Sequence, residues 1–111
     1  MIEVTILNYL TNKLNVPVYM EDDGETGGLY VVIEKTGGGE ENFLKSAVIA
    51  IQSYADSLYN AALLNEKVKE AMKNIIELDD ITRCELNSDY NYTDTTRKAY
   101  RYQAVFDINH Y

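Results

Sequence analysis

The sequence predicts an α+β domain in which two helices pack on one face of a mostly antiparallel sheet of about four to five strands, in the order α-β-β-β-α-β-β. Residues 2–14 and 58–76 repeat apolar side chains at the helical period. The segments around them are rich in β-branched residues or alternate apolar with polar positions, which is typical of strands. With 111 residues, the chain is long enough for one core, so we expect a single domain over residues 1–111.

The first elements are a helix, a short strand and a loop. The helix over residues 2–14 is predicted by apolar residues at every fourth position: Ile2, Ile6, Leu10 and Leu14. Pro17 ends it, because the residue before a proline is pushed out of helical conformation. A short strand, residues 18–20, then leads into the acidic loop of residues 21–28. The spacing of its acidic residues does not match a calcium-binding loop, since Gly24 falls where an oxygen ligand is required.

A glycine run follows the next predicted strand, residues 29–35. We call residues 37–41 the glycine segment: Gly37, Gly38, Gly39, Glu40 and Glu41. A phosphate-binding loop needs a lysine and a hydroxyl after its last glycine, and two carboxylates would instead repel a phosphate. We therefore expect the glycines to form an exposed, mobile hairpin turn into a strand over residues 43–54. That second strand is apolar on both faces, which predicts a place near the sheet centre.

Asp56 or Ser57 is expected to cap the second helix, whose buried stripe includes Val68 and Met72. The charged residues on its outer face indicate a solvated surface.

The last third of the chain predicts a hairpin around a polar turn at residues 93–98. Constant-sum pairing places Cys84 opposite Ile108, Leu86 opposite Phe106, Glu85 opposite Asp107, Tyr90 opposite Tyr102 and Tyr92 opposite Tyr100. Leu86 and Phe106 should then be buried, and Arg83 should offset the facing carboxylates. The four tyrosines should share one face, and we expect part of this ladder to lie at a subunit boundary. The alternative is that the tyrosines extend the core of a single chain.

Composition argues against several classes of function. Eighteen acidic and ten basic residues give a net charge of −8, which opposes specific binding to nucleic acid or to an anionic membrane. No stretch approaches eighteen apolar residues, and no secretory signal is evident, so we expect a soluble, unexported protein. The single cysteine, Cys84, cannot form an internal disulfide or a zinc site alone and is expected to be a small buried hydrophobe.

Catalytic constellations are missing from the sequence. His110 stands next to the C-terminus, where we expect a mobile chain, and no nucleophile or metal motif provides it with partners. The paired carboxylates at residues 22–23, 40–41 and 79–80 fall in predicted turns without an apolar pocket. We therefore predict no enzyme activity, no cofactor and no metal site.

The stretch VVIEKTGGGEENFLKSAVIAIQSYA running into DSLYNAALLNEKVKEAM, with the closing pair of strands, resembles the tail terminator and head-tail joining proteins of long-tailed bacteriophages and prophages, often labelled minor capsid proteins. The resemblance covers nearly the full chain. It implies a homo-hexameric ring in the virion tail or neck that ends tail-tube polymerisation and contacts the tail-tube protein and a neck or head-completion protein. Assembly would take place in the bacterial host cytoplasm.

The resemblance also implies that the glycine segment contacts the tube or the next subunit. One alternative is a small α+β binding or regulatory module that dimerises through its sheet. A second alternative, a hydrolase that uses the acidic loops, predicts stabilisation by metal ions.

Overall fold

A computed structural model describes residues 1–22, 24 and 27–111, and its element order is the predicted one. The elements are α1 Ile2–Lys13, β1 Val18–Tyr19, β2 Tyr30–Glu41, β3 Leu44–Ala55, α2 Leu58–Lys73, a 3₁₀ turn Ile75–Glu77, β4 Ile81–Asn91 and β5 Tyr100–His110. The strands form one sheet in the order β1-β2-β3-β5-β4, and β1–β2 is its parallel pair. The prediction of a mostly antiparallel α+β fold is confirmed.

The central strand β3 explains why its sequence is apolar on both faces. It pairs with β2 on one side and along Lys45–Ala55 with β5 on the other. Ile49 and Ile51 point into the helix-covered core, while Ala50 is buried on the opposite face. The predicted central position is confirmed.

Both helices lie on one face of the sheet and share its core. The fully buried side chains at the centre come from both helices and from the strands beneath: Ile6, Leu10, Ile33, Ile49, Ile51, Val68, Met72 and Ile108. Ser57 caps α2 as predicted, because its Oγ accepts a hydrogen bond from Asn60 N at 3.1 Å. Tyr9 ties the helices together by donating its hydroxyl to Ala71 O at 3.1 Å.

The predicted glycine turn is wrong. The glycine segment lies inside β2, and the chain reverses at Asn42 and Phe43, whose φ angles are 51° and 67°. Two consecutive positive φ values between paired strands are typical of a two-residue type I′ hairpin turn. Glycine was expected to occupy the turn because it reaches positive φ most easily, but asparagine also tolerates this conformation.

The predicted tyrosine ladder is also wrong. Pairing follows the expected register at Cys84–Ile108 and Leu86–Phe106, but a bulge at Asn87 then shifts it by one residue. Tyr90 consequently lies opposite Gln103. A shift by one residue moves every later side chain of β4 to the other face of the sheet. Tyr90 and Tyr92 therefore lie on the face opposite the helices, whereas Tyr100 and Tyr102 follow the helix-side parity of Ala104.

Burial of the C-terminal hairpin is confirmed for Phe106 and wrong for Leu86. Phe106 is 2% exposed, but Leu86 is 47% exposed because it lies on the edge strand beside the bulge, at the rim of a groove next to α2.

The prediction that His110 lies at a mobile chain end is wrong. It is the last residue of β5, pairs with both Lys45 and Ile81, and is 8% exposed.

Candidate interface surfaces

One edge of the sheet is unpaired over most of its length. β1 covers the outer side of β2 only at Val31 and Val32, so the rest of that side has no neighbouring strand among the described residues. Val31 donates its N–H outward to Pro17 O at 2.9 Å. Because outward-facing backbone groups alternate along an antiparallel strand, those of Ile33 and Lys35 also point away from β3. The edge offers unpaired donors and acceptors to an approaching strand.

The glycine segment forms the outer half of this edge, and close packing explains two of its three glycines. None of the three has a positive φ. A Cβ on Gly38 would lie 2.9 Å from Lys35 Cε and 3.2 Å from Ser46 O. A Cβ on Gly39 would lie 3.3 Å from Ser46 Oγ. Glu40 and Glu41 follow as exposed residues, so the glycine segment is a continuous stretch of strand that is exposed except at the half-buried Gly37.

The tip of this hairpin presents an unexpected aromatic residue. Phe43 is 91% exposed and occupies the second turn position, where glycine is the favoured residue. A non-glycine residue in the left-handed region costs on the order of 1 kcal/mol. Phe43 was predicted to begin the second strand, and its exposed position at the hairpin tip was not predicted. The available signal was Asn42, because asparagine tolerates the left-handed conformation that this turn requires.

The face of the sheet opposite the helices, here called the open face, carries a connected polar cluster. Tyr30 and Tyr54 stack with ring centroids 4.5 Å apart and planes 4° from parallel. Tyr54 OH donates to Gln52 Oε1 at 3.3 Å, and Gln52 Nε2 donates to Gln103 Oε1 at 2.9 Å. Gln103 Nε2 donates to Tyr90 OH at 2.5 Å. The cluster links all four long strands and satisfies both buried amides.

Arg101 connects this cluster to Tyr92. Its Nη1 donates to Tyr54 OH at 2.9 Å, its Nε donates to Tyr92 O at 2.6 Å, and its guanidinium lies 4.4 Å from the Tyr92 ring centroid. Burial raises the pKa of the Tyr54 hydroxyl even though Arg101 opposes that shift. The phenol therefore stays neutral at physiological pH and can serve as both donor and acceptor.

The four predicted contact tyrosines thus form two separate pairs. Tyr90 and Tyr92 meet edge to face at 5.9 Å on the open face, and they are 42% and 43% exposed. Tyr100, 38% exposed, and the half-buried Tyr102 belong to the opposite face. Asn65 on α2 is buried and takes its polar partner from the sheet. The bulge supplies Asp89, whose Oδ1 accepts from Asn65 Nδ2 at 3.3 Å.

The tip of the β4–β5 hairpin is fastened to the rest of the protein. Asp94 accepts hydrogen bonds from the backbone N–H groups of Thr96 and Arg97 and pairs with Ala99 across the turn. Arg97 Nη2 reaches Asp22 Oδ2 at 3.4 Å, and Asp22 Oδ1 accepts from Tyr30 OH at 3.2 Å.

Asp22 has a structural role within the acidic loop. Burial raises its pKa, but hydrogen bonds from Gly24 N–H, Arg97 and Tyr30 outweigh that effect and bring the pKa below its usual value. The rest of the loop prediction concerns Asp23, Glu25 and Thr26, which lie outside the described residues.

A groove of about 530 Å³ runs between the end of α1 and the exposed side of α2. Its apolar part is lined by Leu14, Val16, Leu29, Leu63 and Leu64. Leu29 and Leu63 are 43% and 46% exposed. The walls also carry charge: Lys13 and Glu77 form an ion pair at 3.2 Å, and Lys67 and Glu70 lie on α2.

The titratable groups form no recognisable reaction centre among residues 1–22, 24 and 27–111. No cluster of three or more His, Cys, Asp or Glu side chains there could hold a metal ion. The half-buried Cys84 thiol has its pKa raised to about 11, chiefly by burial, so it is mostly protonated at neutral pH. No helix in the described part of the chain is long and apolar enough to cross a membrane.

The sequence matches no protein-family model and no curated protein.

Proposed function

We propose that the protein is a structural component of a long-tailed bacteriophage or prophage particle, a tail terminator or head-tail joining protein. In this role six copies close into a ring at the end of the tail tube, stop further addition of tube subunits, and connect the tail to a neck or head-completion protein. The protein would be made in the bacterial host cytoplasm and act in the virion as an assembly element without a catalytic step.

The observation that carries the proposal is the long β2–β3 hairpin, whose outer half is exposed on a free sheet edge and ends in Phe43. The backbone groups on this edge are free to pair with a strand of another molecule on either side of the bulge between Lys35 and Gly37. A ring subunit needs surfaces of this kind. The net charge of −8 also suits a channel that DNA crosses without binding tightly.

Two sets of residues are proposed as contacts in the assembly. The glycine segment would lie against the tube or the next subunit. The pair Tyr90 and Tyr92 and the pair Tyr100 and Tyr102 would serve two different boundaries, since they lie on opposite faces of the sheet. Replacing Glu40 and Glu41 by lysine should leave the fold intact and disturb assembly, because both side chains are exposed.

The experiment that tests the proposed function adds purified protein to polymerising tail tubes and measures tube length and end structure by negative-stain microscopy. We expect ring-shaped caps and shorter tubes. Tubes of unchanged length with bare ends would refute the proposal.

The second candidate is a small dimeric binding or regulatory module, and the groove between α1 and α2 is the observation that favours it. Grooves of this volume are typical of small-ligand sites. A two-fold dimer in solution that forms no rings and does not cap tubes would favour this candidate.

A further inference from the structure

We infer that Phe43 at the tip of the β2–β3 hairpin inserts into the apolar part of the α1–α2 groove of a second copy of this chain. The inference deepens the proposed function, on which it rests, by naming the two surfaces that join neighbouring subunits. We assign a second copy of the chain as the occupant of the groove, because this chain carries both an unpartnered aromatic residue and an unfilled apolar groove.

Phe43 has the properties of a contact residue and none of a folding residue. Its ring is 91% exposed, so it contributes little to the core. Its φ of 67° is unfavourable for an aromatic residue, and glycine at this position would relieve the strain. The combination of exposure and an unfavourable backbone conformation is the observation from which we infer a contact role for Phe43.

The groove fits this ring in size and chemistry. At about 530 Å³ it admits an aromatic side chain, and Leu29 and Leu63 offer apolar surface that is nearly half exposed. Charges around the two surfaces can also pair. Glu40 and Glu41 precede the turn and Lys67 lies on the groove wall, while Lys45 follows the turn and Glu70 lies on the same wall as Lys67.

The geometry prevents a chain from filling its own groove. Leu29 immediately precedes β2, and twelve strand residues at about 3.3 Å each separate it by roughly 40 Å from the turn. The whole chain extends 44 Å along its longest axis, so the two surfaces lie toward opposite ends. A contact between different surfaces of identical chains is head to tail, and such contacts close into rings when the rotation per subunit allows.

The test begins with Phe43→Gly, which removes the ring and supplies the residue that the turn favours. We expect an unchanged or higher thermal midpoint and a loss of self-association of roughly tenfold or more, measured by sedimentation velocity. Leu63→Glu should block the groove with the same loss of self-association. Ile76→Glu, at an exposed apolar position outside the groove lining, is the matched control and should associate normally.

Mixing the two defective variants provides the sharpest outcome. Each Leu63→Glu chain retains Phe43 and each Phe43→Gly chain retains the groove, so the mixture should form one-to-one dimers that neither variant forms alone. Absence of these dimers, or normal association of Phe43→Gly, would overturn the inference.

Photo-crosslinking keeps the inference testable if a variant misfolds. With p-benzoylphenylalanine at position 43 of the full chain, we expect crosslinks to peptides that contain Leu29 or Leu63 of another copy. Adducts elsewhere, or crosslinks only to tail-tube protein when it is added, would overturn the inference. The proposed function fails separately: self-association that depends on Phe43, in a protein that does not cap tubes, would retain the contact and reject the terminator role.

Discussion

The two long hairpins of this protein end in opposite ways. The β4–β5 tip is a polar turn that Asp94 organises and that Arg97 fastens to Asp22. The β2–β3 tip is a two-residue turn that leaves Phe43 91% exposed. Hydrogen bonds and an ion pair within the chain explain the first tip, but nothing in the described part of the chain covers the second. The first hairpin end therefore supports folding, and the second is available for contacts with another molecule.

The largest expected effect concerns the core beneath the β4–β5 hairpin. Phe106 and Leu86 face each other in the register, yet Phe106 is 2% and Leu86 47% exposed. Phe106→Ala should lower the free energy of unfolding by about 3–5 kcal/mol through lost burial and a residual cavity. Leu86→Ala should cost less than about 1.5 kcal/mol, because half of that side chain is already hydrated. Chemical denaturation of both variants checks this difference, and equal losses would show that the hairpin base is not buried as described.

A smaller effect is expected from the fastening of the β4–β5 tip. Asp22 has a lowered pKa in the folded state, so its carboxylate stabilises the fold above its unfolded pKa, and this contribution is lost as the pH falls through the folded pKa. Asp22→Asn should cost about 1 kcal/mol at pH 7 and flatten the stability profile between about pH 5 and pH 2. Thermal midpoints measured across that pH range check both the loss of stability at pH 7 and the flattened profile. An unchanged profile would show that the Asp22 carboxylate does not hold this tip.

The smallest expected effect distinguishes the glycines of β2. A Cβ on Gly37 would make an ordinary contact with Val48 Cγ2 at 3.6 Å, whereas a Cβ on Gly38 would crowd Ser46 O at 3.2 Å. Gly37→Ala should stabilise the protein by about 0.5 kcal/mol by reducing the entropy of the unfolded chain. Gly38→Ala should stabilise the protein less than Gly37→Ala does, because the hairpin backbone must shift to make room for the added Cβ. Urea unfolding midpoints in the reverse order would contradict this account of the close packing.

Periodicity was sufficient to predict both helices and the central place of β3, because burial of one stripe or of both strand faces leaves a direct mark on the sequence. Capping preference narrowed the start of α2 to Asp56 or Ser57, and Ser57 is the cap. Periodicity failed at the two places where a single residue changes the register or the turn. Every second residue from 83 to 91 is polar, and Asn87 is one of them. The bulge at Asn87 therefore leaves no mark in this pattern. The run of three glycines predicted the wrong turn residues in place of Asn42 and Phe43, and two of those glycines, Gly38 and Gly39, instead pack closely against Ser46.

The candidate contact surfaces could be predicted only in part. Exposure of Glu40 and Glu41 followed from their charge, but the separation of Tyr90 and Tyr92 from Tyr100 required the bulge to be known. The groove depends on how α1 crosses α2, and no local pattern encodes that crossing.

Sedimentation velocity of Phe43→Gly and Arg97→Ala, at a temperature where both are folded, tests the central comparison most directly. Phe43→Gly should lose self-association while keeping its thermal midpoint. Arg97→Ala should associate like the unaltered protein while its midpoint falls, because it releases only the tip that is held within the chain. Normal association of Phe43→Gly together with lost association of Arg97→Ala would contradict the roles assigned to the two hairpin ends.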